Sequence, residues 1–168
     1  MADLHPLTAD DRFAIQDLFA RYAWALDTGH VDDLALCFTE DTVIIEEVFE
    51  DPDRWEGRAG VRALGRHYMS APNFPGRQHH LDQLLVEGNA NEANARSFTF
   101  VTECRGEPPF VLRFAGYYED KLVKVDGQWL FKERIIRLWD GPILSAFPGK
   151  GTYIPRKRPA ELQVKSRS

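Results

Sequence analysis

Apolar residues in the first third of the chain recur every three to four positions. Ile15, Leu18, Phe19, Tyr22 and Leu26 form one stripe, the spacing that brings side chains onto one face of an α-helix. Thr8 followed by Asp11 resembles a capping box with Asp in place of the usual Glu, and Gly29 supplies a stop. A helix over residues 9–27 is predicted, then a short one over 31–38 with Leu34 and Phe38 on its apolar side. Val43, Ile44, Ile45, Val48 and Phe49 predict a strand, which the turn-forming run DPDRWEG closes. A third helix is expected over 58–69.

After the loop at 72–76 the period falls to two. Strands are predicted at about 78–88, 92–105, 109–125 and 128–139, and GNANE and VDGQ are short enough to be hairpin turns. Helices first and strands afterwards give an α+β fold, with the later strands in one antiparallel meander. Strict alternation places His79, Leu81, Gln83 and Leu85 on one face of the first long strand and His80, Asp82, Leu84 and Val86 on the other. In the last strand it groups Trp129, Phe131, Glu133, Ile135, Arg137 and Trp139. Leu130, Ile136 and Leu138 then point the other way, toward a helix or a partner subunit, and a homodimer is expected, with a homotrimer as the alternative.

With 168 residues, one domain with one core is the natural division. We place the domain at 1–140 and a Pro- and Gly-containing extension at 141–168. Hydrophobic residues at 43% and charged residues at 28% suffice for a core without disulfides or structural metal. Cys37 and Cys104 lack the spacing of a zinc or redox motif, so reduced thiols and a cytoplasmic location are expected. A formal net charge of −5 offers no basic field for nucleic acid, and no apolar run approaches the length of a membrane span. Arg156, Lys157, Arg158, Lys165 and Arg167, interrupted by Pro155 and Pro159, read as a solvated tail.

Some polar residues sit where the pattern does not ask for them. Asp27 ends the first helix, where the dipole disfavours a carboxylate; it either helps the turn or accepts a proton. Of His79 and His80 only one can face inward, and a histidine there suits proton transfer because its unperturbed pKa is about 6.5. Arg137 interrupts an apolar face, so it either pairs with Glu133 or offers donors to a substrate oxygen. Tyr22 lies on the buried stripe and needs a partner for its hydroxyl. Ser97, Thr99 and Tyr117 are further candidates for the interior. Asp27, His67, His79, His80 and Asp82 form no recognised metal motif, and no cofactor is expected.

Three segments, RYAWALDTGHVDDLALCFTEDT, QHHLDQLLVEGNANEANARSF and GYYEDKLVKVDGQWLFKERIIRLW, resemble the polyketide-cyclase-like (SnoaL-like) group of the nuclear transport factor 2-like superfamily. The group includes scytalone dehydratase, bile-acid dehydratase and lindane dehydrochlorinase. The resemblance covers about residues 8–140. It implies a cone-shaped, strongly curved sheet wrapped around a long N-terminal helix, with a largely apolar cavity inside. It also implies an Asp–His dyad at Asp27 and His79, with Tyr22 and Arg137 as further catalytic positions. The second histidine of scytalone dehydratase falls near Ser97 here, which departs from that enzyme.

The expectation is a cofactor-independent lyase, a dehydratase or related eliminating enzyme, acting on a small apolar cyclic or aromatic hydroxylated compound. Trp24, Gln83, Phe98, Phe131 and Trp139 are the expected substrate contacts. A double-bond isomerase would use nearly the same parts. A non-catalytic small-molecule-binding protein and a small subunit of a ring-hydroxylating oxygenase share the fold class.

Overall fold

The first helix, α1 (Ala9–Asp27), opens on the capping box that the Thr8 and Asp11 spacing predicts. Thr8 Oγ1 accepts from the Asp11 amide at 3.1 Å, and the Asp11 carboxylate accepts the Thr8 amide at 3.1 Å. Asp11 Oδ1 also accepts from Trp129 Nε1 at 3.0 Å and Lys124 Nζ at 2.7 Å, so the start of the helix is tied to the far end of the sheet. The predicted stripe is buried, and the Phe19 and Tyr22 rings pack edge-on against Phe131 at 5.0 and 5.8 Å. This computed structural model describes residues 5–72, 74–151 and 156–163; Pro155, Lys165 and Arg167 of the basic tail lie outside the described residues.

The chain continues through α2 (Val31–Leu36), β1 (Phe38–Glu47), β2 (Asp53–Glu56), α3 (Gly57–Met69), β3 (Arg77–Gly88), β4 (Glu92–Glu103), β5 (Val111–Val125) and β6 (Gln128–Leu138). The six strands form one mixed sheet in the order β2-β1-β6-β5-β4-β3, with β1 and β6 parallel and the other neighbours antiparallel. The α1 helix packs against both β6 and the edge strand β3, three strands apart, which requires the sheet to curl around it. The hairpin between β5 and β6 turns on Asp126 (φ 49°) and Gly127 (φ 80°), the left-handed pair of a type I′ turn.

Two predicted boundaries move. Phe38 belongs to β1, not to the second helix, because its ring is buried against Phe131 at 5.1 Å. The DPDRWEG segment contains β2, whose Trp55 is buried with its indole N–H donated to Glu46 Oε2 at 2.8 Å. Four residues among turn formers are too few for alternation to be visible.

Two bulges matter more, because one extra residue turns every later side chain to the opposite face. In β3, Asp82 pairs with Phe98 and Leu85 with Arg96, so one residue is extra, and Gln83 takes a φ of 51° there. Past it, Leu84 and Val86 pack on the core while Leu85 is 62% exposed. In β6, Phe131 pairs with Leu122 and Glu133 with Lys121, leaving Lys132 as the extra residue. Past it, Arg134, Ile136 and Leu138 point inward and Arg137 points outward, the reverse of the strict alternation. Ile136 and Leu138 therefore do not face a partner subunit.

The tail also departs from expectation. Arg158 is buried rather than solvated: Nη1 lies 2.6 Å from Asp53 Oδ2, Nη2 donates to the Asp51 carbonyl at 2.8 Å, and the guanidinium lies 4.4 Å from the Phe49 ring centre. Arg156 forms a parallel bridge with Phe49, and its carbonyl accepts from the Glu50 amide at 2.9 Å. Residues 156–163 are thereby pinned across the end of β1.

Candidate functional site

Asp27 at the last turn of α1 and His79 near the start of β3 meet although 52 residues separate them. Asp27 Oδ2 accepts from the His79 backbone amide at 2.6 Å, and Oδ1 lies 2.5 Å from His79 Nδ1. The carboxylate holds both the strand and the ring of the same histidine. With Nδ1 engaged, Nε2 is the ring nitrogen left to act, and His79 lines the central cavity. Both side chains are largely enclosed, at 11% exposure for His79 and 15% for Asp27. His80, one residue on, faces the outer side of the sheet, stacking on Phe100 at 4.5 Å and bonding Thr102 at 3.1 Å.

The cavity has a volume of about 310 Å³. Its depth is formed by Tyr22, Leu26, Leu64, Phe74, Tyr118, Ile136 and Leu138, and Glu46 and Tyr68 add polar groups. Tyr22 and Tyr118 are buried, and their rings meet edge-on at 6.2 Å. Burial pushes both phenols up, so each hydroxyl keeps its proton as a donor; Arg134 opposes that rise at both. Arg134 is fully buried between the rings, 4.0 Å from Tyr22 and 4.4 Å from Tyr118, and is held by Asp120 through bonds of 2.7 and 3.0 Å. Burial works against its charge, but Asp120 and the tyrosine oxygens outweigh it and raise its pKa.

Glu46 faces the cavity from β1 and accepts from Tyr68 Oη at 2.5 Å and Trp55 Nε1 at 2.8 Å. Burial pushes its carboxyl up, while the two donors pull it down. Sequence reading missed Glu46, Tyr68, Tyr118 and Arg134 as site residues. Glu46 did carry a signal, since Ile44, Glu46 and Val48 alternate onto one face and a carboxylate interrupts it, the argument that singled out Arg137.

Arg137 does not reach this cavity. The β6 bulge turns it to the outer face, where it pairs with Glu47 at 3.1 Å and Glu119 at 3.2 Å rather than with Glu133. The five expected substrate contacts also lie elsewhere. Trp24 is 73% exposed and, with Gln83, lines a second cleft between α1 and β3, which His79 also borders. Phe98 and Trp139 pack together at 4.8 Å on the outer face, and Phe131 is sealed in the core. Ser97 and Thr99 point inward and are buried, whereas Tyr117 lies under Trp139 on the outer side. Among the described residues no three His, Cys, Asp or Glu side chains gather as metal ligands would, and no helix is long and apolar enough to cross a membrane.

Residues 7–135 match the SnoaL-like domain family. No curated protein matches the chain. Several solved structures share the fold. A substituted form of Rv3472, a function-unknown protein of Mycobacterium tuberculosis, is 26% identical with a TM-score of 0.69, over 83% of this chain and 78% of that one. A Novosphingobium aromaticivorans protein named "Putative Scytalone Dehydratase" is 29% identical with a TM-score of 0.64, over 77% and 84%. ActVI-ORFA from Streptomyces coelicolor is 18% identical with a TM-score of 0.65, over 74% and 94%, a likeness of fold alone.

Proposed function

The chain belongs to the SnoaL-like domain family, and on that premise we propose that it is a dehydratase or related eliminating enzyme working through its own side chains on a small cyclic or aromatic hydroxylated compound. The observation that supports this reading is the double engagement of Asp27 on His79 at the wall of an apolar cavity. His79 Nε2 takes a proton from carbon, and the Asp27 carboxylate stabilises the imidazolium through Nδ1. The electron pair left on carbon forms the double bond as the adjacent C–O bond breaks. Tyr22 gives its proton to the departing hydroxyl, which leaves as water, and Arg134 eases the phenolate by its charge. The imidazolium then returns its proton to Tyr22, which closes the cycle. Arg137 has no part in it.

A panel of hydroxylated cyclic and aromatic compounds, scored first for binding and then for loss of water, tests this reading. His79→Ala and Asp27→Asn should fold normally and keep much of the ligand affinity, yet lose about 100- to 10,000-fold in turnover. Wild-type rates in both folded variants would end the dyad mechanism. Binding by the wild type with no turnover of any compound would favour a carrier, and an isomerised product with no water released would point to a double-bond isomerase.

A further inference from the structure

The walls of the cavity divide by burial into an interior and a mouth, and the mouth is basic. His79, Tyr22, Glu46, Leu64 and Tyr118 are enclosed, whereas Arg113, Arg156 and Lys157 line the same space while exposed, with Arg77 half-buried beside them. Four cations on one opening is far from average in a chain of net charge −5. Of these cations Arg113 pairs with Glu103, and Asp51 and Asp53 beside the tail are engaged by Arg158. Glu46, the acid within the cavity wall, is occupied with Tyr68 and Trp55.

The backbone that carries two of these cations, Arg156 and Lys157, is held in place on both sides. Arg156 is fixed by its backbone bridge to Phe49 and its carbonyl bond from Glu50, and Arg158 two residues on is clamped between Asp51 and Asp53. Lys157 lies between the two anchors. Arg77 sits with its guanidinium 5.4 Å from the Phe74 ring, a position that keeps it at the cavity wall beside His79. Low-dielectric walls lined by one sign of charge focus the field and draw in ligands of the opposite sign.

We infer that the ligand of this cavity is an amphipathic anion: an apolar ring body lodged against the tyrosines and His79, with a carboxylate or phosphate at the mouth on Arg77, Arg113, Arg156 and Lys157. This rests on reading the cavity as the substrate site, but not on the elimination step. The negative group adds orientation as well as affinity, because an anchored end fixes which carbon lies opposite His79.

Calorimetric titration of the full chain with 2-naphthoate, 2-naphthyl phosphate and the neutral methyl ester of 2-naphthoate tests the inference at low and high salt. At least one of the two anions should bind about tenfold or more tightly than the ester at low salt, with the gap narrowing as salt screens the mouth. Preference for the phosphate over the carboxylate would identify a phosphate-bearing ligand, and the converse a carboxylic acid. Arg156→Gln combined with Lys157→Gln, both exposed and outside the core, should shrink the gap severalfold, as should Arg77→Gln alone. His79→Ala should keep the gap, so failure of the catalytic reading and failure of this one are told apart. Equal affinity for all three compounds, or a gap unchanged in the substituted variants, would overturn it.

Discussion

The carboxyl of Glu46 lines the cavity while buried, and its ionisation is shifted upward by that burial. It is buried on β1, with Asp53 nearby raising its pKa further and Arg158 acting against that rise. A folded pKa above the unfolded value means that the native state binds the proton more tightly than the unfolded chain. Its effect on stability is therefore favourable at low pH and is lost as pH rises from the unfolded glutamate value of about 4.3 through the raised folded value. The difference in stability between wild type and Glu46→Gln should accordingly shift against the wild type over that rise. Urea denaturation of both proteins from pH 4 to pH 8 measures it, and parallel stability curves would show that Glu46 carries no such linkage. Asp27 and His79, by contrast, were visible in the sequence for simple reasons. A carboxylate at the wrong end of a helix dipole and a histidine opening a strand are both local anomalies. Glu46 is equally anomalous on its face, but the adjacent Glu47 in TVIIEEVFE masks the alternation that marks it as inward-facing.

At the scale of elements, the long periodic segments were legible and the bulges were not. Residues 9–27, the third helix and the four long strands fall within a few residues of the pattern, since each carries many repeats of its period. Lys132 and the extra residue at Gln83 leave no mark in alternation, because a bulge is a relation between two strands rather than a property of one. Strict alternation turns Arg137 inward, whereas the β6 bulge turns Arg134 inward and Arg137 out. These two arginines should behave oppositely. Asp120→Ala leaves the fully buried Arg134 guanidinium without its carboxylate and should destabilise the protein by about 3–5 kcal/mol. Arg137→Gln, on the outer face beside Glu47 and Glu119, should cost less than about 1 kcal/mol and leave turnover unchanged. Chemical denaturation of both variants reads the contrast in stability, and a folded Arg137→Gln variant that loses turnover would return that residue to the site.

At the scale of the whole molecule, the bulges also move the surface on which a homodimer would form. The expected partner rested on Leu130, Ile136 and Leu138, of which Ile136 and Leu138 line the cavity and Leu130 is buried. The outer face nevertheless has its own apolar set. Phe98 is 46% exposed and Trp139 41%, with their rings in contact, and Leu85 further along the same face is 62% exposed. A cluster of this kind on the open side of a sheet is the sort of surface that association covers. We therefore expect a dimer held by this face, disrupted by Phe98→Glu because one charge at its centre must be desolvated in both copies. Light scattering at micromolar concentration should give twice the chain mass for wild type and a single chain mass for the variant, with the cavity's ligand affinity retained. A monomeric wild type would remove the dimer altogether, and a Phe98→Glu variant that still pairs would place the interface on another surface.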